Sequence, residues 1–106
     1  MSENNRNPKL LGMLGLAARA RKIVAGTEIV TEKIKSGKAV ELVIIASDVS
    51  QNTHKKIVNC CEYYKKQYVV SGFTQDELSH AVGKQCLTSS VAIIDRNFAF
   101  AIKNLV

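Results

Sequence analysis

The chain has 106 residues, 46% of them hydrophobic, with a formal net charge of +6 and a pI near 9.4. One domain of this length removes roughly two-thirds of its unfolded surface from water, so disorder is excluded as the default and the positive excess points to polyanionic partners. No apolar run approaches the ~20 residues needed to cross a bilayer, and the opening MSENNRN lacks the form of a secretory signal, so the chain is expected in the cytoplasm without a membrane partner.

In chain order, residues 1–7 read as a flexible tail and residues 8–106 as a single domain. Asn7 and Pro8 form a helix start, with the amide side chain as cap and proline at the first helical position. Leu10, Leu11, Leu14, Ala17 and Ala18 recur at helical spacing. Gly12 and Gly15 each cost that helix about 1 kcal/mol against alanine, which points to close approach by another element.

The stretch from Ile23 to Gly37 is the expected working surface. Ile23-Val24-Ala25 reads as a short strand that turns at Gly26 directly into a helix, with Thr27 as its cap and Glu28 where the helix dipole favours an acid. Ile29, Val30 and Ile34 are expected to form the buried stripe, and Gly37 the stop. A helix that begins at a glycine turn presents backbone N–H groups to an anion such as phosphate. Arg19, Arg21 and Lys22 precede it, and Lys33, Lys35 and Lys38 lie on or after it. A lysine cluster alone is ordinarily just a solvated face.

Leu42-Val43-Ile44-Ile45-Ala46 is a continuous apolar run, as in a strand covered on both faces. Asp48 and Ser50 offer caps for a helix over Gln51 to Lys66, with Ile57, Val58, Cys61 and Tyr64 on its apolar face. Tyr68-Val69-Val70 reads as a second buried strand. Thr74 and Glu77 form a capping box for a short helix stopped at Gly83. Val91-Ala92-Ile93-Ile94 is a further strand. The closing helix, Asn97 to Leu105, places Phe98, Ala101, Ile102 and Leu105 on one face. This alternation argues for an α/β fold, a three-layer sandwich in a single domain.

Catalytic and metal-binding chemistry find little support. Cys60, Cys61 and Cys86 show neither C-x-x-C nor zinc spacing with a histidine, so they read as packing residues or incidental thiols. His54 and His80 read as surface or satisfied histidines. Asp48 and Asp95 follow strands but serve as helix caps. No Walker or nucleophile-elbow sequence is present, and no small-molecule substrate or cofactor is implied. The reading is of a protein that is not an enzyme.

Three local words, GLAARARKIVAG, KSGKAVELVIIASD and GKQCLTSSVAII, in this order and spacing, resemble the kink-turn RNA-binding ribosomal protein family of archaeal L-seven-Ae and eukaryotic L-thirty-e. The similarity covers about residues 8–103 and is greatest to the bacterial YlxQ-type branch. It implies an α/β/α sandwich around a four-stranded mixed sheet. It also implies binding to kink-turns, where tandem sheared G·A pairs follow a short bulge.

The family word G-T-N-E-x-x-K falls on Gly26 to Glu32. Gly26 and Thr27 match, which implies that they approach the RNA backbone. Glu28, Ile29 and Glu32 stand where the family has asparagine, glutamate and lysine. Glu28 retains the capacity to accept from a base amino group. In the loop Lys84–Thr88, the resemblance implies that Leu87 packs on the extruded bulge nucleotide and that Lys84 meets a phosphate. Lys22, Lys33 and Lys35 would supply further phosphate contacts. The implied partners are ribosomal RNA or another kink-turn-containing RNA, with ribosomal proteins as further partners. The alternative is a protein-interaction module that docks on a ribosomal or transcription protein through the face bearing Glu28 and Glu32.

Overall fold

The computed structural model describes residues 6–37 and 39–105. Five helices alternate with four strands: α1 (Pro8–Arg19), β1 (Ile23–Ala25), α2 (Thr27–Lys35), β2 (Leu42–Ile45), α3 (Gln51–Tyr63), β3 (Tyr68–Val70), α4 (Gln75–Val82), β4 (Ser90–Ile93) and α5 (Arg96–Lys103). The strands form one mixed sheet in the order β1-β4-β2-β3. β4 runs antiparallel to both β1 and β2, whereas β3 lies parallel to β2 at an edge.

Strand side chains alternate between the two faces, so the one sheet builds two cores. Leu42, Ile44, Val91 and Ile93 face α1, α4 and α5, which contribute Leu10, Leu14, Leu78 and Ile102. Val43, Ile45 and Ala92 face α2 and α3, which contribute Val30, Ile34, Ile57 and Cys61. The apolar run of β2 is buried throughout because helices cover both faces. β3 is only half-buried, since an edge strand has a neighbour on one side alone. The expected three-layer α/β/α sandwich is therefore the observed fold.

Most helix boundaries follow from local chemistry. Asn7 caps α1 by accepting from the Lys9 amide at 3.0 Å, with proline in the first turn. Ser50 accepts from the Thr53 amide, and Asp95 from the Phe98 amide. At α4 the capping box is complete: Thr74 Oγ1 accepts from the Glu77 amide at 3.2 Å and the Glu77 carboxylate from the Thr74 amide at 2.9 Å. Thr74→Ala should therefore lower stability by about 1 kcal/mol. A melting curve should show a midpoint drop of about 4–8 °C for a domain of this size.

Asp48 caps a helix other than the one that follows it, accepting from the Gln75 amide at the start of α4 at 2.8 Å. Gly15 confirms the expected close approach, since a Cβ there would lie 3.2 Å from the Ala81 carbonyl oxygen of α4. Gly12 has nothing within 4 Å of that position. α3 ends at Tyr63, and Tyr64 lies beyond its last turn rather than on its buried face. In α5 the buried residues are Ala99 and Ile102. Residues 1–5 of the expected tail, together with Lys38 and Val106, fall outside the described residues. Arg6 is held by a bidentate pair with Glu77, at 3.2 and 3.1 Å, and lies 4.8 Å from the Phe73 ring centroid.

Two of the three thiols behave as packing groups. Cys60 and Cys61 are buried and Cys86 is exposed. Burial pushes the Cys61 thiol up to about 12 and raises Cys60 as well, so both stay protonated in neutral buffer. Thiol titration of the folded protein should find Cys86 alone reactive, and all three cysteines reactive only after denaturation.

Candidate nucleic-acid interface

The expected site forms where β1 ends, α2 begins and the loop after α4 enters β4. Gly26 joins β1 to α2 with φ +108° and ψ +149°, a region essentially restricted to glycine. It occupies the N-cap position itself and supplies no side-chain cap. Val30 donates to the Gly26 carbonyl at 2.9 Å as the helix ladder begins. The first-turn amides of Thr27, Glu28 and Ile29 are therefore directed outward at the positive end of the helix dipole.

Thr27 is the first helical residue, which corrects its expected role as cap. Its hydroxyl is committed across the chain instead, in a hydrogen bond with Ser89 Oγ. The Gly26 amide donates to the Ser90 carbonyl at 2.9 Å. These two bonds fix the helix start against the end of the loop, where Thr88 and Ser89 are buried and Leu87 is 64% exposed. Lys84 is also exposed on this loop. The structure thus sets Gly26, Thr27 and Glu28 against the end of the loop that carries Leu87, while Lys84 stands at the loop's other end, its amide donating to the Ser79 carbonyl of α4 at 2.9 Å.

Ile29 is 52% exposed, contrary to its expected place in the buried stripe. Val30, Thr31 and Ile34 are the buried residues of α2, and the Thr31 hydroxyl donates to the Thr27 carbonyl at 2.9 Å. Glu28 pairs with Lys56 of α3 at 2.7 Å, and that hydrogen bond holds its carboxyl below the usual range. Its negative charge at the rim is answered by a neighbouring helix, and Glu32 is exposed one turn further along α2.

Lys22, Lys33 and Lys35 lie away from the helix start, although Lys35 is close enough to help lower the Glu28 carboxyl. Lys33 and Lys35 follow Thr27 by six and eight residues, so they lie about 9 and 12 Å along the helix axis. Lys22 precedes Gly26 by four residues, about 13 Å back along the strand. A cation reaches the helix start from α3. Lys56 meets Glu28, and Lys55 lines a cleft of about 500 Å³ with His54, Ser47 and Val70 at the end of the sheet. Neither lysine belongs to a motif in the sequence. Their i, i+1 spacing carries no sign of which neighbour they meet.

The chain is an α/β/α sandwich whose glycine-turned helix start is locked to the loop after α4. Residues 9–102 match the model of the Ribosomal protein L7Ae/L30e/S12e/Gadd45 family, and the chain belongs to that family. It is 37% identical over 94 residues to the RNA-binding protein YlxQ of Bacillus subtilis, covering 89% of this chain and 91% of that one. The RNA-binding protein YlxQ of Enterococcus faecium is 34% identical over 106 residues, covering 100% and 98%. Among solved structures, a protein of unknown function from Bacillus halodurans superposes with a TM-score of 0.82 at 35% identity, covering 92% of this chain and 95% of that one. The Giardia lamblia 15.5kD RNA binding protein shares the fold, with a TM-score of 0.70 at 22% identity and coverage of 93% and 88%.

Proposed function

We propose that this chain is an RNA-binding protein that recognises kink-turn-like RNA and works in the cytoplasm in association with ribosomal particles. The observation that carries this reading is the lock between the start of α2 and the loop after α4. It sets outward-directed amides beside an exposed apolar side chain. A kinked backbone with one extruded nucleotide requires that combination, amides and cations for the phosphates and a nonpolar platform for the base. In this reading Gly26 and Thr27 approach the backbone, and Leu87 takes the bulged nucleotide. Lys84, Lys55 and Lys56 neutralise phosphates, while Lys33 and Lys35 meet RNA only where it continues along α2. Glu28, held by Lys56, is positioned to accept from a base amino group. Among the described residues no helix is long and apolar enough to cross a membrane.

The test is titration of a fluorescent kink-turn RNA beside a control whose sheared G·A pairs are replaced by Watson–Crick pairs. Submicromolar binding to the kink-turn alone is expected. With about four phosphates neutralised, log affinity should fall against log salt with a slope of about −3. Equal binding to both RNAs would sink the reading. Association with ribosomal particles is checked separately by co-sedimentation of the protein through a sucrose gradient.

A further inference from the structure

The far end of α3 carries a second set of features suited to RNA. Tyr63 and Tyr64 meet edge to face with ring centroids 4.9 Å apart, and Tyr63 is 79% exposed. An aromatic ring held so openly adds little to the core, because most of its surface remains in water. Lys65 and Lys66 follow directly. Lys65 takes a left-handed conformation, φ +58°, to end the helix, and the Lys66 amide donates back to the Cys61 carbonyl at 2.7 Å. Glycine takes the left-handed position after α2 at Gly37 and after α4 at Gly83, whereas Arg21 takes it after α1 with φ +60°. A lysine in that position is conformationally unfavourable where glycine would cost nothing, and its gain is a cation beside the tyrosines.

A further cation comes from α2. Glu28 pairs with Lys56, and Cys60 Sγ donates to the Thr31 carbonyl, so α2 and α3 run side by side in the same direction with an offset of 28 to 29 residues. Continuing that offset brings Lys35 level with Tyr63 and Tyr64. Lys35, Lys65 and Lys66 form no ion pair among the described residues. The neighbouring Glu62 is engaged, accepting from the Tyr68 hydroxyl at 3.0 Å. Lys56 marks the level of the start of α2, and from there to Tyr63 is seven residues, about 10 Å along the helix, so this patch lies two turns beyond that rim.

We propose that Tyr63 and Tyr64, with Lys35, Lys65 and Lys66, form a second RNA-contacting surface that stacks an unpaired nucleobase and neutralises the phosphates on either side of it. Aromatic faces accept any base and lysines follow the backbone, so the ligand class is single-stranded RNA without strong sequence preference. The arrangement lets the protein hold a single-stranded flank while its other end is occupied.

The probe is a fluorescein-labelled twelve-nucleotide oligouridylate, titrated against the full chain and run in parallel with the kink-turn RNA. Tyr63→Ala should weaken oligouridylate binding at least about fivefold, the low end for loss of one stacked base. Lys65→Gly should also weaken it while leaving the melting midpoint unchanged or higher, because glycine relieves the left-handed residue. That combination cannot come from damage to the fold. With three phosphates neutralised on a single strand, the log–log salt slope should be about −2. Neither variant should alter kink-turn affinity, and Leu87→Asp should leave oligouridylate binding intact.

Oligouridylate binding that ignores both Tyr63→Ala and Lys65→Gly, or that responds only to Leu87→Asp, overturns the proposal. So does absence of binding at low salt, which would turn attention to a protein partner for the tyrosines. Tyr63-dependent oligouridylate binding without kink-turn discrimination would sustain this surface while sinking the kink-turn reading. The two therefore fail separately.

Discussion

Gly26→Ala should both destabilise the protein and weaken its binding to a kink-turn. A Cβ at Gly26 meets nothing within 4 Å, so the effect does not come from a clash. It comes from the backbone, since φ +108° with ψ +149° is a region that L-residues scarcely enter. Holding alanine there costs about 1–3 kcal/mol. Alternatively the turn relaxes, and the Gly26–Ser90 and Thr27–Ser89 bonds that depend on it are lost. Denaturant unfolding should show the stability loss with an unchanged m-value. RNA titration well below the melting midpoint should show reduced affinity even where the protein remains folded. A variant with full affinity would mean that the position of the helix start does not matter to recognition.

The fold was legible because its local signals agree with one another. Asn7-Pro8, Ser50, the Thr74–Glu77 box and Asp95 each mark a helix start through hydrogen bonds within three residues. The apolar runs at Leu42–Ile45 and Val91–Ile93 mark the central strands. Signals failed where the partner lies far along the chain. Thr27 has the chemistry of a cap, but Ser89, 62 residues away, takes its hydroxyl. Glu28 meets Lys56, 28 residues on, an ion pair that no local pattern announces. Ile29 matched an apolar pattern, yet the buried flank of α2 is completed by Thr31, whose hydroxyl is satisfied inside its own helix.

Lys33 and Lys35 lie two turns from the start of α2, a separation that helix rise alone supplies. Tyr64 fits the apolar period of α3, but the helix stops one residue earlier with Lys65 in the left-handed region. No glycine announced that stop.

Leu87→Asp should remove most kink-turn affinity while leaving the fold intact. Leu87 is 64% exposed, and its neighbours Thr88 and Ser89 anchor the loop from beneath, so stability should change within about ±0.5 kcal/mol. Fully burying a leucine side chain is worth roughly 1.5–3 kcal/mol, and part of its surface is already covered in the free protein. Leu87→Ala should then cost about 1–2 kcal/mol of binding, or roughly 5- to 30-fold. Aspartate should cost more, because it also sets a carboxylate against the phosphates that Lys84 is placed to neutralise. The proper control is Phe100→Asp, a 67% exposed apolar residue on α5 in the layer across the sheet from α2. Both variants remove an exposed hydrophobe and change net charge equally, so any difference in their RNA titrations measures position. Loss confined to Leu87→Asp assigns the bulged nucleotide to this loop. Equal loss in both variants would reduce the interaction to net charge, and the lock between the loop and α2 would then be structural only.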